Sequence, residues 1–496
     1  MPFDPPAVEL AGIAPEIALT ITALFLMVFD AFVVRIAPSH SRWYSPVIAT
    51  LGLTVATLLA VSSWGANEVQ LGGAIALDGF AIFVKIGLAV FATLTVWLAR
   101  DYLAREGLED AEFYVLILFA TAGMMLMAAA ADLIVVFLAL ETFSLAIYVL
   151  VGFRRRSTES QESALKYFLL GAFSSAFFLL GVALAYGAAG TTAFYSGGGP
   201  SESISRYLGS TPTADLALMV VATGFLIVGM GFKVAAVPFH AWTPDAYQGA
   251  PAPVTGFMAA ATKIAAFAAT LRLLDAVLFP LRWDWQPLIL VLATVTMVVG
   301  SVVAIVQEDL KRLLAYSSIA HAGFILTGVV AANDDGISGS LFYLVTYGVT
   351  VLGAFAVLSV LSGKDEQRIR MIDFKGLFYE SPLLAGAFTL FLLSLAGVPI
   401  TSGFVGKLVV FGAAVEAGYA WLAVVGVLAS AIAAFFYLRV LVVMYMQEPD
   451  EPRDPVRPGV LAAGVVSVAA ASTVLFGLLW GPLVEAAQQA TFIAGR

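Results

Sequence analysis

The sequence predicts an all-α polytopic membrane protein of about 14 transmembrane helices, two of them broken. Three observations lead there. Of 496 residues, 61% are hydrophobic and only 12% charged, and the mean hydropathy is +0.95, which excludes a soluble domain with one core. Apolar runs of about 20 residues recur almost end to end, each long enough to cross about 30 Å of hydrocarbon as a helix. Proline interrupts two of these runs, at Pro238 and Pro399, and each break lies close to a lysine.

Span 1 (13–34) follows an acidic, proline-bearing start, Met1 to Glu16, and is itself full length, so it reads as a retained helix rather than a cleaved signal. Spans 2 (45–63) and 3 (77–98) complete a first unit, 1–110. Spans 4 (111–129), 5 (132–152), 6 (162–188), 7 (214–240) and 8 (251–275) form a second unit, 111–280. Spans 9 (286–306), 10 (315–331), 11 (337–361), 12 (383–413) and 13 (418–446) form a third, 281–447, and span 14 (458–482) lies in 448–496. Pro238 falls inside span 7 and has no N–H to offer Val234, so it is expected to free that carbonyl one residue from Lys233. Irregular backbone at membrane depth is tolerated where it is buried or lines a polar cavity.

The second and third units resemble each other. Ala164-Leu-Lys-Tyr-Phe-Leu-Leu-Gly-Ala172 in span 6 is answered five spans later by Ser340-Leu-Phe-Tyr-Leu-Val-Thr-Tyr-Gly348 in span 11. The broken span 7 is likewise answered by Gly397-Val-Pro-Ile-Thr-Ser-Gly-Phe-Val-Gly-Lys407 in span 12. Five is odd, so the copies are expected to be inverted, and matched broken helices in inverted halves point to a transport path near the midplane.

Charge supports the segmentation. Loops after odd-numbered spans collect sixteen of the Lys and Arg residues, from Arg35 and Arg42 through Arg154 to Arg156 to Arg439, Arg453 and Arg457. Loops after even-numbered spans hold only Arg206, Arg272 and Arg282. Short cytoplasmic loops attract cations, so both termini are expected on the outer side of the membrane. The net charge of −9 and the lack of any longer basic cluster argue against a nucleic-acid partner.

There is no cysteine, which excludes disulfides and cysteine-ligated iron–sulfur clusters. His40, His240 and His321 are too far apart in sequence to give a haem-ligating pair any support from spacing. No cofactor or metal is expected on this chain. Any redox chemistry belongs to other chains.

The chemistry lies in ionisable groups within the spans. A charge at mid-membrane is costly and persists mainly where it faces a protein interior or a water file. Lys233, Lys263 and Lys407 lie deep, beside a break or in mid-span, and are read as proton carriers. Glu141 sits near the centre of span 5 with no cation in reach on its own helix, so its partner must come from another. Lys166 lies within two turns of the cytoplasmic end, where a functional reading and a snorkelling one both stand, and for Lys85 the structural reading is preferred. His321, in Tyr-Ser-Ser-Ile-Ala-His, can pass protons through neighbouring hydroxyls or serve helix packing. His240 beside Trp242 reads as an interfacial anchor, and Asp30 and Glu112 fall near span ends. Lysine titrates and arginine effectively does not. A carboxylate about 4 Å from an ammonium is worth roughly 4 kcal/mol at an effective dielectric of 20, which exceeds the roughly 2.3 kcal/mol needed to move one charge against 100 mV. Making and breaking a Glu141–Lys233 pair is therefore strong enough to drive a proton toward Lys263.

These residues resemble the antiporter-like membrane subunits of respiratory complex I. The resemblance is carried by Phe-Lys-x-Ala-x-x-Pro-Phe-His-x-Trp-x-Pro-Asp-x-Tyr-x-Gly-Ala-Pro-x-Pro-Val from Phe232 to Val254, and by the stretches around Glu141, 164–173, 310–323 and 397–407. It implies fourteen helices with five-helix inverted repeats at spans 4 to 8 and 9 to 13. It also implies that Glu141 and Lys233 are a tuning pair, Lys263 the central relay, Lys407 the exit-side relay and Lys166 an auxiliary. NADH, FMN, iron–sulfur clusters and quinone would sit in partner subunits of the complex, both membrane and peripheral. A subunit of a multisubunit sodium/proton antiporter is the alternative, since it shares fold and lysines.

Overall fold

The computed structural model describes residues 9–36, 43–195, 203–212, 216–449 and 455–493. Among the described residues thirteen helices are long and apolar enough to cross a membrane. Twelve of them correspond one for one to spans 1–6, 8–11, 13 and 14. They are α1 (Ala14–Ile36), α2 (Tyr44–Ser62), α3 (Gly79–Glu106), α4 (Ala111–Ala129), α5 (Leu133–Val151), α6 (Thr158–Ala189), α9 (Ala252–Val277), α10 (Arg282–Ala304), α11 (Leu310–Ala331), α12 (Asp334–Leu361), α15 (Ala420–Met446) and α16 (Val460–Leu478).

The other two spans are interrupted. Span 7 becomes α7 (Ala217–Val234), the thirteenth membrane-length helix, followed after seven irregular residues by the short α8 (Trp242–Gly249). Span 12 becomes two 15-residue helices, α13 (Pro382–Ala396) and α14 (Ser402–Glu416). Shorter elements include a terminal α17 (Gly481–Gln489), a two-stranded antiparallel hairpin, Glu68–Gln70 with Ile75–Leu77, and the helical turns Ile204–Ser210 and Leu377–Glu380.

Caps place the boundaries. Asp78, Asp132, Ser157, Asp309 and Asn333 each accept a first-turn N–H with the side chain, opening α3, α5, α6, α11 and α12. Gly107, Gly190 and Gly397 end α3, α6 and α13 in the left-handed conformation that glycine adopts without strain.

The break in α7 differs from the expected one. The helix stops at Val234, with Ala235 left-handed (φ 63°), so Pro238 lies in the turn rather than inside a helix. The Phe232 and Gly231 carbonyls are satisfied within the turn. Ala235 and Ala236 N–H groups take them at 3.1 and 2.8 Å, and the Trp242 indole also donates to Phe232 at 2.9 Å.

The helices differ in burial. α9 is wholly enclosed, and α11 and α12 nearly so, with α3, α9, α11, α13, α14, α16 and α17 packed around α12. α1, α10, α15 and α16 turn large apolar side chains outward, such as Phe32, Val291, Phe435 and Leu475, as lipid-facing helices do. Two turns of α9 are π-helical, Met258–Thr262 immediately before Lys263 and Arg272–Val277 at its end. π-turns often occur at functional sites.

Several cations counted among the loops lie in helices, some in a terminal turn, such as Arg282, Lys311 and Arg312, and others further in. Arg272 is in α9 and Arg439 in α15, where it donates to the Gln307 carbonyl. His40, Arg42, Arg453 and Arg496 lie outside the described residues.

Candidate functional site

Lys233 occupies the last turn of α7 and is buried. Its ammonium donates to Ser144 Oγ at 2.8 Å, and Ser144 in turn donates to the Leu140 carbonyl. Glu141, one turn earlier on the same face of α5, is half-buried and accepts from Ser175 Oγ of α6. The expected Glu141–Lys233 ion pair is therefore open here, with Ser144 standing between its two members. Four aromatic rings lie around the amine: Phe143 at 5.4 Å, Tyr148 and Phe232 at 5.7 Å and Tyr167 at 6.0 Å.

Lys263, just past the π-turn of α9, donates to Ser318 Oγ at 2.6 Å and to the Ser318 carbonyl. Tyr247 Oη lies 3.4 Å from the same hydroxyl, and the Tyr347 ring lies 5.1 Å from the amine. From there α11 carries polar groups at helical spacing. Ser317 bonds Tyr437 Oη, and His321 Nδ1 is 2.9 Å from Tyr343 Oη. One turn further along α11, the Phe324 ring lies 4.9 Å from Lys407.

Lys407 fills the second break. It donates to the carbonyls of Leu395 and Ala396, at 3.0 and 2.9 Å, and to Ser430 Oγ. These are carbonyls that the interrupted α13 can no longer bond internally. Neither Lys263 nor Lys407 has a carboxylate among its bonding partners.

The structure therefore brings Lys233, Lys263, His321 and Lys407 into the enclosed middle of the protein, with Glu141 at its edge. It does not bring Lys166, which is exposed and pairs with Glu162 at 2.7 Å and Asp245 at 3.1 Å, while Asp245 also binds Arg312 at 2.8 Å. Lys85 is buried against Glu16 at 2.7 Å and the Gly12 carbonyl at 2.6 Å, a structural pairing. Trp242 is not interfacial: it is buried and stacked on Tyr167 at 4.4 Å, while His240 is half-buried in the turn. Asp30 accepts from Tyr44, and Glu112 pairs with Arg155. Among the described residues no three His, Asp or Glu side chains form a group that could hold a metal.

Sequence reasoning pointed to the hydroxyls beside His321, Ser317 and Ser318, but missed the connecting groups Ser144, Ser175, Tyr247, Tyr343 and Tyr437. Spacing held a signal for some of them: Ser144 follows Glu141 by three, and Tyr343 and Tyr347 share a face of α12.

Two buried charge clusters clamp α9 at its ends. At its start Glu366 accepts from the Ala252 N–H at 2.7 Å and pairs with Lys311 at 2.8 Å and Arg154 at 3.4 Å. Asp365 and Glu366 both adopt left-handed backbone, φ 56° and 51°, a conformation held by its surroundings. Burial alone pushes the Glu366 carboxyl up, but Lys311 and Arg154 more than reverse that and hold it below the ordinary glutamate value. Its contribution to stability is then complete above the ordinary value of about 4.3 and is lost as pH falls through the depressed one. Thermal unfolding in detergent is expected to show a midpoint that drops on acidification, less steeply in Glu366→Gln. At the far end Arg272 forms a bidentate pair with Asp78, at 2.7 and 2.9 Å, both side chains being 1% exposed.

Comparison with known proteins bears on the family and the fold of the chain. The family described as NADH:quinone oxidoreductase/Mrp antiporter, transmembrane, matches residues 130–433. The "NADH-quinone oxidoreductase subunit N" of Trichlorobacter lovleyi is 43% identical over 483 residues, covering 97% of each chain. A chain of respiratory complex I from Thermus thermophilus with bound aureothin superposes with a TM-score of 0.78 at 35% identity, over 95% of this chain and 98% of that one. A chain of the Mrp complex from a Dietzia species gives a TM-score of 0.78 at 23% identity, over 96% and 97%, which is likeness of fold alone.

Proposed function

The chain belongs to the NADH:quinone oxidoreductase/Mrp antiporter transmembrane family, and on that footing we propose that Glu141, Lys233, Lys263, His321 and Lys407 form the proton relay of a subunit N type membrane subunit. The chain is a multi-pass membrane subunit of an NADH-quinone oxidoreductase that translocates protons while its partners carry electrons. The observation that carries the relay is Lys263, an amine in a wholly enclosed helix, bonded to Ser318 with no carboxylate partner. Structural needs alone do not explain such a group, because burying an unpaired charge is costly.

With Glu141 turned to Lys233, the ammonium is retained. With Glu141 turned to Ser175, as here, the proton is free to move to Lys263, along the hydroxyl and imidazole groups of α11 and α12, and on to Lys407. Lys166, beside Asp245 and Arg312, attracts or stores charge at the cytoplasmic mouth as an auxiliary. The two inverted halves, 111–280 and 281–447, each contribute one interrupted span. NADH, FMN, iron–sulfur clusters and quinone reside in partner membrane and peripheral subunits. The complex lies in a bacterial cell membrane with both termini of this chain outside, a reading supported by the loop cations.

Purification of the tagged chain in mild detergent tests the assignment. Co-migration with flavin and iron–sulfur proteins is expected. Co-migration only with small membrane proteins would favour the antiporter reading instead.

A further inference from the structure

We propose that the aromatic box of Phe143, Tyr148, Tyr167 and Phe232 is a second seat for the Lys233 ammonium, occupied whenever Glu141 is turned away. This deepens the proton-relay reading and rests on it. A buried ammonium without its carboxylate needs some other source of negative potential. Here Ser144 supplies one hydrogen bond, at 2.8 Å, and four ring centroids lie within 6.0 Å. Ring faces attract cations, and more so away from water.

The box is held as a unit. Tyr148 meets Tyr167 edge-on at 4.7 Å, Tyr167 stacks on Trp242 at 4.4 Å, and Trp242 leans on Phe232 at 5.5 Å. Gly171 of α6 makes the space for Tyr148, since a Cβ there would overlap the tyrosine oxygen. The amine's side-chain hydrogen bond goes to Ser144 and not to that oxygen, so Tyr148 offers Lys233 its ring and not its hydroxyl. The wall draws on Trp242 at the start of α8 as well as on α5, α6 and α7, so the break after α7 brings Trp242 back to close it. The other charged and titratable groups on the surrounding helices are Glu141 on α5, Glu159, Glu162, Lys166 and Tyr186 on α6, Asp245 and Tyr247 on α8, and Lys263, Arg272 and Asp275 on α9, with Lys166 neutralised by Glu162 and Asp245.

Two seats make a switch. With Glu141 near, the amine is held by a full charge. With Glu141 on Ser175, it is held by weaker ring faces and one hydroxyl, loosely enough to release a proton yet firmly enough to stay in place. The four rings are thus positioning residues for the proton-carrying amine.

The test uses the assembled complex in closed vesicles, measuring protons moved per NADH oxidised with quinone reduction recorded in the same samples. Phe143→Leu removes a ring face at similar volume and is expected to lower proton movement through this chain about fivefold, the change equivalent to one desolvated ring contact of ~1 kcal/mol. Phe143→Tyr restores the face and is expected to rescue it. Phe143→Leu pumping as well as Phe143→Tyr would overturn the proposal, as would Tyr148→Phe falling as far as Phe143→Leu. Lys233→Ala separates the two claims: loss of pumping there alongside intact pumping in Phe143→Leu discards the box alone, while intact pumping in Lys233→Ala discards the relay.

Discussion

Replacing Lys263 by methionine is expected to leave the protein at least as stable while removing proton transport through it. Methionine matches the lysine stem in length, and the site around it is apolar apart from Ser318 and the tyrosines. An ammonium there has been taken out of water without a carboxylate to offset the cost. Removing it therefore relieves the fold, at the loss of two hydrogen bonds to Ser318. Transport through this chain should fall by roughly 100-fold or more, the scale on which a missing acid–base group acts. Detergent unfolding midpoints and proton movement in vesicles, measured on the same variant, check both halves. A side chain that merely oriented helices would give the opposite result, a lower midpoint with transport preserved.

Arg272→Met should be the most destabilising single change outside the relay. It leaves Asp78 charged and buried, and breaking one partner of an enclosed ion pair costs about 3–5 kcal/mol. It also removes the donor to the Ala128 carbonyl and the cation lying over the rings of Phe80 and Phe492, at 5.2 and 5.4 Å. Asp78 has two further duties, capping α3 at the Ala81 N–H and accepting from the Ile493 N–H of the terminal segment. The double variant Arg272→Met with Asp78→Leu should therefore recover most of the loss but remain about 1 kcal/mol short for the missing cap. Unfolding midpoints of the single and double variants give the comparison.

The spans and the lysines were legible because hydrocarbon imposes a coarse rule: about 20 apolar residues, and any charge among them needs a reason. The second break was written plainly in Gly397, whose left-handed backbone (φ 90°) ends α13. The first was not, because Ala235 adopts the same conformation with no residue type to announce it, and Pro238 drew attention four residues too far along. Arg272 was misread as a loop residue because its partner Asp78 lies 194 positions away. The sequence showed that Glu141 needs a partner from another helix and suggested Lys233, but it could not say that in the structure the two would be bonded to Ser175 and Ser144 instead. The rings that hold the amine come from separate helices, and only packing brings them together. Lys166 was the hardest to place, since a lysine two turns from a helix end fits both a buried relay and the exposed ion pair with Asp245 that the fold adopts.

The claim beneath all of this is that the buried amines trade protons rather than merely carry charge. Lys233→Arg puts it most directly to the test, since arginine keeps the charge and some of the ring contacts but does not give up its proton. Measured in vesicles of the assembled complex, the number of protons moved per NADH oxidised should drop by the whole share of this chain. An arginine variant that pumps as many protons as the unaltered protein would contradict the account.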